Sequence, residues 1–126
     1  LVCVHGNGFM EKAVDYINCH GIGTENNDLS EALAIQKLFQ EHGPYFSSTK
    51  PYTGHTLAAA GSVEAVFSIL SIQNNVLFPN LNFENQMPEI SISPLKELMQ
   101  NVEVKHVLSN SFGFGGSNTS LLFSKV

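Results

Sequence analysis

The order of apolar and polar positions along the chain predicts strands that alternate with helices. Residues 13–18 are rich in β-favouring side chains and stop at a turn-rich stretch, which predicts a short buried strand. Asp28 has the character of a helix N-cap, and Glu31 stands three residues later, as in a capping box. The apolar residues that follow recur at helical spacing as far as His42, so an amphipathic helix is expected after the strand.

The middle of the chain predicts a second strand and a long buried helix. Residues 45–49 have strand character, and Lys50-Pro51 should turn the chain into a loop that ends at His55. From residue 56 to residue 73 nearly every helical face is apolar or small, as in a helix that is covered on all sides. Glu64 is the exception, because a buried carboxylate requires a cation or a hydrogen-bond donor beside it.

The segment at residues 79–94 contains three prolines and predicts a wrapping loop. Short extended pieces are expected within it, at 81–83 and 90–92.

A hairpin is predicted at the end of the chain. Residues 106–111 and 119–123 have strand character, and the glycine-rich turn at 112–116 joins them. The complete order of elements indicates an α/β layer fold with a mixed sheet, for which we expect five strands and one long buried helix.

Composition limits the kinds of partner. The chain has 126 residues, of which 43% are hydrophobic and 13% charged, against roughly 25% charged residues in an average soluble domain. We therefore expect one domain whose surface is partly covered by a partner. The net charge of −5, with lysines but no arginine, argues against nucleic-acid binding.

The cysteines and the apolar runs bear on location. Cys3 and Cys19 match neither a zinc spacing nor a CxxC motif, which favours reduced thiols in a cytoplasmic protein. Polar residues interrupt the apolar stretch at 57–72, so it falls short of the about 20 apolar residues that cross a bilayer, and no membrane segment is predicted. Because the chain starts inside an apolar run without a methionine, we expect a fragment of a longer protein.

Polar side chains follow the predicted strands, which is where open α/β sheets collect their sites. They include His20, Lys50 and His55, although a single histidine at a strand end is more often hydrogen-bonded scaffold. The glycine-rich turn leads into a strand and lacks a GK[ST] lysine, which argues against a phosphate-binding loop. No further ligand stands at a familiar spacing beside either histidine, so no metal site is predicted.

Five segments of the chain combine into a specific pattern. They are DYINCHGIGT at 15–24, NDLSE at 27–31, SSTKPYTGH at 47–55, AAGSVEA at 59–65 and SNSFGFGGSN at 109–118. In order and spacing, these segments resemble the C-terminal half of the elongating β-ketoacyl-acyl-carrier-protein synthases. The resemblance covers nearly everything from Asp15 to Lys125 and divides the chain into an unmatched segment, 1–14, and a C-terminal synthase domain, 15–126.

The resemblance implies the C-terminal half of a thiolase-like fold and a decarboxylative Claisen condensation in fatty acid or polyketide synthesis. His20 and His55 match the family histidines that donate hydrogen bonds to the malonyl thioester oxygen. Lys50 and Glu64 match a charged pair beside them. A neutral imidazole suits such a role because it places an N–H donor where enolate charge develops.

Further roles follow from the same resemblance. Phe114, flanked by Gly113 and Gly115, matches the residue whose backbone N–H completes an oxyanion hole and whose ring gates the acyl pocket. Thr24 matches a threonine that binds the pantetheine arm. No metal and no cofactor of its own is implied, since the substrates are carried on the phosphopantetheine of an acyl carrier protein.

The resemblance places the nucleophilic cysteine in an N-terminal half, and neither Cys3 nor Cys19 corresponds to it. The chain alone is therefore expected to be inactive. Its expected partners are its own N-terminal domain, a second copy in a homodimer and an acyl carrier protein.

Three residues depart from the family pattern. Ile22 replaces a pantetheine-binding threonine, which removes a hydrogen bond worth on the order of 1 kcal/mol and leaves Thr24 alone in that role. Glu25 replaces a proline, and Ala58 replaces a glycine of the buried helix. These changes indicate a divergent branch of the family.

Two alternatives stay open on the sequence. One is a non-catalytic subunit that sets chain length in a ketosynthase heterodimer, which would lack cysteine at the upstream nucleophile position. The other is a thiolase acting on coenzyme A esters, which is disfavoured because residues 111–117 contain no second cysteine.

Overall fold

A computed structural model describes residues 13–126 of the chain. The predicted unmatched segment, 1–14, lies almost entirely outside the described residues, and so does Cys3. The helices are α1 (Glu25–Phe39), α2 (Lys50–Thr53) and α3 (Ala60–Asn74). The strands are β1 (Tyr16–Asn18), β2 (Tyr45–Ser47), β3 (Val76–Leu77), β4 (Met99–Gln100), β5 (His106–Phe112) and β6 (Asn118–Ser124).

The main sheet is mixed, as predicted, with the order β2-β1-β5-β6. β1 lies between two parallel neighbours, with Ile17 opposite Phe46 on one side and Leu108 on the other. β5 and β6 form the predicted antiparallel hairpin. Because β1 and β2 are parallel and their carboxyl ends lie side by side, the segments that begin at Cys19 and Ser48 leave the sheet at one edge.

Within residues 13–126, this sheet has four strands, so the expected number of five is wrong for the described part of the chain. β3 and β4 form a separate two-stranded antiparallel sheet. Each of these strands has only two residues, too few for a period of two to be recognised. The expected extended pieces at 81–83 and 90–92 form no strand, and the segment is irregular as the prolines predict.

The two faces of the sheet carry separate apolar clusters, as alternation along β1 requires. Ile17 packs with Ile35 of α1 and with Leu108. Tyr16 points to the opposite face, where Ile72 of α3 and Val107 lie. The result is a three-layer α/β/α arrangement with α1 and α3 on opposite faces, which is the predicted fold class.

α1 begins earlier than the sequence predicts. Its N-cap is Thr24, not Asp28. The Asp28 carboxylate instead accepts hydrogen bonds from the backbone N–H groups of Ile22 and Gly23, both at 3.1 Å. Asp28 thus stabilises the turn that precedes the helix. Glu31 does not form a capping box and is buried. α1 ends at Phe39, and a 3₁₀ turn continues to His42.

The segment after β2 is helical and not the expected loop. Lys50–Thr53 forms one turn, α2, with Pro51 in its first turn, where a missing N–H is harmless. Gly54 ends the turn at φ 72°, a left-handed conformation that suits glycine, and donates its N–H to the Lys50 carbonyl at 2.8 Å.

α3 is the predicted long helix, preceded by a 3₁₀ turn at Leu57–Ala59, but only one of its faces is buried. That face is largely polar and includes Glu64, Ser68 and Ser71. Val66 and Ile69 lie on the outer face, 55% and 40% exposed. Complete burial was expected because apolar residues cover both faces, but within residues 13–126 no element covers the outer one.

By length and composition, Leu57–Asn74 is long and apolar enough to cross a membrane. A single helix of this kind is weak evidence, because the core helix of a globular domain satisfies the same criteria. Here the helix packs on β5 and buries a charged side chain against the sheet.

Candidate active site

The candidate site lies where β1 ends and α2 begins. His20 follows Asn18 and Cys19, and only 4% of its surface is exposed. The centroid of its ring lies 5.6 Å from that of His55 in an edge-to-face arrangement, and 5.3 Å from that of Phe112 at the end of β5. The structure therefore brings together the two histidines that the sequence separates by 35 positions.

Lys50 connects the histidine to a buried carboxylate. Its side chain is only 6% exposed, and its ammonium donates to the Glu64 carboxylate and to the His20 carbonyl. Lys50 Nζ also lies 3.2 Å from His20 Nδ1. An ammonium can only donate, so this nitrogen of His20 acts as the acceptor and the proton sits on Nε2.

His20 is neutral near pH 7. Its burial, then the positive charge of Lys50 and finally His55 lower the pKa of His20 to about 4. Each of these effects disfavours an imidazolium. The side chain is consequently a hydrogen-bond donor through Nε2 and not a cation.

His55 has the same tautomer for a different reason. Its ring is exposed, and Nδ1 accepts the backbone N–H of Leu57 at 3.1 Å. Leu57 has a φ of 53°, a left-handed conformation uncommon for a residue other than glycine, in the short turn between His55 and α3. With Nδ1 occupied as an acceptor, neutral His55 also donates through Nε2.

Glu64 is the predicted carboxylate partner of Lys50. Besides the ammonium, it faces the Ser111 hydroxyl, which lies 3.5 Å from its second oxygen. Burial raises the pKa of Glu64, while Lys50 and Ser111 act in the opposite direction. The backbone carbonyl of Glu64 accepts the Asn18 side chain at 3.1 Å, so α3 is attached to the end of β1.

Glu31 is a second buried carboxylate at the site, and the sequence did not predict it. It accepts the backbone N–H groups of His20 and Gly21 at 3.0 and 2.9 Å and the Asn110 amide at 3.0 Å. Burial raises the pKa of Glu31, partly offset by these donors. The sequence contained a weak signal for a site role, since Glu31 is one of only a few charged residues near His20. Its spacing from Asp28 led instead to the interpretation as a capping box.

The turn after His20 is tightly packed. A Cβ atom placed on Gly21, which has φ 32°, would lie 2.7 Å from the Cβ of Ser48, and Ser48 donates its hydroxyl to the Gly21 carbonyl at 2.9 Å. Glycine at 21 therefore lets the two carboxyl-terminal strand ends approach each other.

Other predicted site residues lie at the surface. Phe114 is fully exposed at the tip of the turn between β5 and β6, where Gly113 donates its N–H to the Ser117 carbonyl at 2.8 Å and Gly115 has φ 87°. The Thr24 side chain is exposed at the start of α1 and makes no capping hydrogen bond. Within residues 13–126, neither Phe114 nor Thr24 has a hydrogen-bonding or ring contact with the two histidines.

The part of the chain that the structure describes contains no group of three metal-ligating side chains. Two N–H donors on adjacent imidazoles can instead stabilise an oxygen on which negative charge develops. The ammonium of Lys50, paired with Glu64, contacts Nδ1 of His20 and so keeps the proton of that ring on Nε2.

Comparison with known proteins identifies the class to which this fold and site belong. The family model for the C-terminal domain of β-ketoacyl synthases matches residues 3–84, and the chain belongs to that family.

Individual relatives agree. The chain is 42% identical over 113 residues to 3-oxoacyl-[acyl-carrier-protein] synthase 1 of Buchnera aphidicola, a match that covers 89% of this chain and 28% of the relative. It is 44% identical over 126 residues to the mitochondrial 3-oxoacyl-[acyl-carrier-protein] synthase of Arabidopsis thaliana, a match that covers 95% of this chain and 27% of the relative. The chain thus spans less than a third of the length of these relatives.

Solved ketosynthases share the fold, which is thiolase-like. A ketosynthase solved with its chain length factor, from Xenorhabdus doucetiae, is 37% identical with a TM-score of 0.81, covering 91% of this chain and 29% of that one. A type II polyketide ketosynthase solved in complex with its acyl-carrier protein is 31% identical with a TM-score of 0.83, and the match covers 90% of this chain and 28% of that one.

Proposed function

We propose that this chain supplies the polarising half of the active site of a β-ketoacyl-acyl-carrier-protein synthase, an acyltransferase of fatty acid or polyketide synthesis. The observation that carries the proposal is the pair of imidazoles at 5.6 Å, each with Nδ1 occupied as an acceptor and Nε2 left as a donor. The family and the names of the relatives support the same conclusion.

In the proposed reaction, a malonyl thioester places its carbonyl oxygen between His20 and His55. The bond between the carboxylate and the α-carbon breaks, carbon dioxide leaves, and the electron pair moves to the thioester oxygen as an enolate. Two neutral N–H donors stabilise that charge without transferring a proton. The α-carbon then attacks an acyl thioester on a cysteine, and the cysteine leaves as a thiolate.

Lys50 and Glu64 set the tautomer of His20 and do not contact the substrate. The ammonium of Lys50 keeps Nδ1 of His20 unprotonated, and Glu64 compensates the buried positive charge of Lys50. The backbone N–H of Phe114 would complete an oxyanion hole for the acyl thioester, with its ring at the acyl pocket. Gly113 and Gly115 give that turn its freedom to move.

The substrates are proposed to arrive on the phosphopantetheine arm of an acyl carrier protein, with Thr24 as a binding residue. The exposed, unbonded side chain of Thr24 supports this assignment. No resident metal or cofactor takes part. A cytoplasmic location stays a prediction, and one of the relatives is mitochondrial by name.

The remaining partners follow from the nucleophile and the uncovered surface. We place the cysteine nucleophile in an N-terminal domain that covers the outer face of α3, within a homodimer. Cys19, the cysteine of the described residues, is buried, and burial raises its pKa well above the ordinary value for a thiol. Such a thiol is a poor nucleophile. Cys3, outside the described residues, does not match the family nucleophile either, so we expect the chain alone to be inactive.

A non-catalytic chain-length subunit is the alternative, and solved ketosynthases with chain length factors are among the similar structures. The charged pair behind His20 favours the catalytic role, because a subunit without chemistry has no need for that costly buried arrangement.

Intact mass of the full-length protein, after incubation with an acyl-carrier thioester and without malonyl donor, distinguishes the two. We expect a mass increase equal to the acyl group, blocked beforehand by a thiol reagent. A folded protein that acquires no acyl group would favour the non-catalytic subunit.

A further inference from the structure

A half-open cavity of about 210 Å³ lies beside the His20 turn, between α1, the ends of β1 and β2 and the irregular segment 80–94, and neither imidazole lines it. Its walls are mainly apolar, and Cys19 is among the lining residues. The principal apolar side chains around it are Ile35, Phe46, Phe83, Met87, Ile90 and Ile92. An engineered apolar cavity of roughly 150 Å³ is known to bind benzene, so this one is large enough for a single ring.

Most of the polar side chains around the cavity are already hydrogen-bonded within the protein, and Asn85 is the lining residue whose side chain has no hydrogen bond among residues 13–126. Both oxygens of Glu31 accept backbone N–H groups. The Ser48 hydroxyl donates to the Gly21 carbonyl, and the Asn80 side-chain oxygen accepts the Ser48 N–H. The Gln86 amide donates to the carbonyls of two neighbouring isoleucines. An occupant that needs several hydrogen bonds would therefore find few partners, whereas an apolar one would lose little.

The outer wall of the cavity can adapt to an occupant. Residues 80–94 contain no helix or strand. Their backbone–backbone hydrogen bonds run from Asn80 to Leu95 and from Ile90 to Met87, and one further backbone N–H, that of Ser91, donates to the Gln36 side chain of α1 at 2.7 Å. Met87 is unbranched and fills irregular space easily. The cavity is also half open, so a small molecule can enter it without unfolding of α1 or the sheet.

We propose that this cavity is a binding site for a small apolar molecule of about one aromatic ring, separate from the condensation site. Its occupant would contact Glu31, whose carboxylate holds the backbone of His20, and so would lie directly behind the His20 turn. The inference does not depend on the proposed reaction.

The experiment uses the full-length protein with ¹³C-labelled isoleucine δ1 methyl groups and toluene as the probe. Ring currents from bound toluene should shift the methyl signals of Ile35, Ile90 and Ile92 in a saturable manner. Ile69 and Ile72 of α3 serve as internal controls and should not move. No saturable shift up to the solubility of toluene, or an equal shift of the α3 methyl groups, would overturn the proposal.

Substitution of the cavity wall provides the matched control. Ala32 lines the cavity from α1, and Ala32→Phe should fill it and abolish the shifts. Leu33→Phe adds bulk at the neighbouring, 42% exposed position and should leave toluene binding unchanged. If a thermal melt shows that Ala32→Phe does not fold, the smaller change Ala32→Leu should weaken binding at least severalfold. Undiminished shifts in the folded Ala32 variant would contradict the assignment.

Discussion

At the scale of single residues, His20 shows how position sets the chemical state of a side chain. Its burial and the ammonium of Lys50 both disfavour a positive charge, so its pKa falls to about 4. The fold thereby provides a neutral N–H donor at physiological pH. His55, although exposed, has its tautomer selected by one backbone N–H at 3.1 Å.

The lowered pKa of His20 predicts a pH dependence of stability. In the unfolded chain the pKa returns to about 6.5, so between pH 6.5 and 4 the unfolded state binds a proton that the folded state does not. Stability from the neutral ring is complete above pH 6.5 and is lost as the pH falls toward 4. Relative to His20→Gln, the natural protein should lose up to about 1.4 kcal/mol per pH unit in this window.

Denaturant unfolding of both full-length proteins from pH 4 to 8 measures this difference. The comparison isolates His20, because Glu31 and Glu64 titrate in both proteins. Parallel stability curves for the two would contradict the assigned state of His20.

The Lys50–Glu64 pair predicts non-additive substitutions. Lys50→Met leaves a buried carboxylate without its cation and should cost about 3–5 kcal/mol of unfolding free energy. Adding Glu64→Gln removes the remaining charge while keeping the shape, so the double variant should be more stable than Lys50→Met alone. Urea midpoints of the full-length variants test this, and strictly additive losses would argue against a coupled pair.

At the scale of elements, α3 combines two different faces. The face toward the sheet holds Glu64, Ser68 and Ser71, while the outer face is apolar. Ser68 donates its hydroxyl to the Glu64 carbonyl at 2.8 Å. The Ser71 hydroxyl is buried and has no partner among residues 13–126.

This difference predicts opposite effects of two matched substitutions. Ser71→Ala removes a buried hydroxyl without a hydrogen-bond partner and should stabilise the protein by about 1 kcal/mol. Ser68→Ala removes an existing hydrogen bond and should leave stability unchanged or lower it by about 1 kcal/mol. Thermal or urea unfolding of the two full-length variants measures the sign. Destabilisation by Ser71→Ala would show that its hydroxyl has a partner in the full protein.

The elements also show what the sequence could and could not predict. The α/β class and the closing hairpin follow from strand-favouring residues and the turn residues between them, and α3 follows from an apolar run that is too long for a strand. The start of α1 was predicted wrongly, because Asp28 and Glu31 have the spacing of a capping box. Their carboxylates instead accept backbone N–H groups of the turn that begins at His20. β3 and β4 depend on a tertiary pairing of two residues each, which no local pattern reveals.

The candidate site was predictable only as a set. His20, Lys50, His55 and Glu64 were named from the family resemblance, and the structure places these four side chains together. The tautomers of the histidines and the part played by Glu31 depend on backbone N–H groups from distant turns. Such contacts have no signature in residue type, so they required the structure.

At the scale of the whole molecule, the described chain has an apolar side without a cover. Four large apolar side chains on or near α3 and β6 are strongly exposed: Leu57 (79%), Val66 (55%), Ile69 (40%) and Leu121 (48%). Large exposed apolar patches are typical of interaction sites, so we expect this side to lie against a partner. It accords with a chain that spans less than a third of its relatives.

We expect the isolated chain to self-associate and to bind a hydrophobic dye through this side. Val66→Lys with Ile69→Lys should reduce both effects, because two ammonium groups make the face unfavourable to bury. Sedimentation and dye fluorescence measure the change. A monomeric, dye-silent natural chain would contradict the existence of a face that normally lies against another domain.

The central claim is that His20 and His55 polarise a malonyl thioester, and malonyl-carrier decarboxylation by full-length His55→Ala tests it most directly. Loss of one N–H donor to the developing enolate should slow carbon dioxide release about a hundredfold or more, while acyl transfer to the enzyme is partly retained. His42→Ala, at an exposed position after α1, is the control and should behave as the natural protein. Near-normal decarboxylation by His55→Ala would contradict the account.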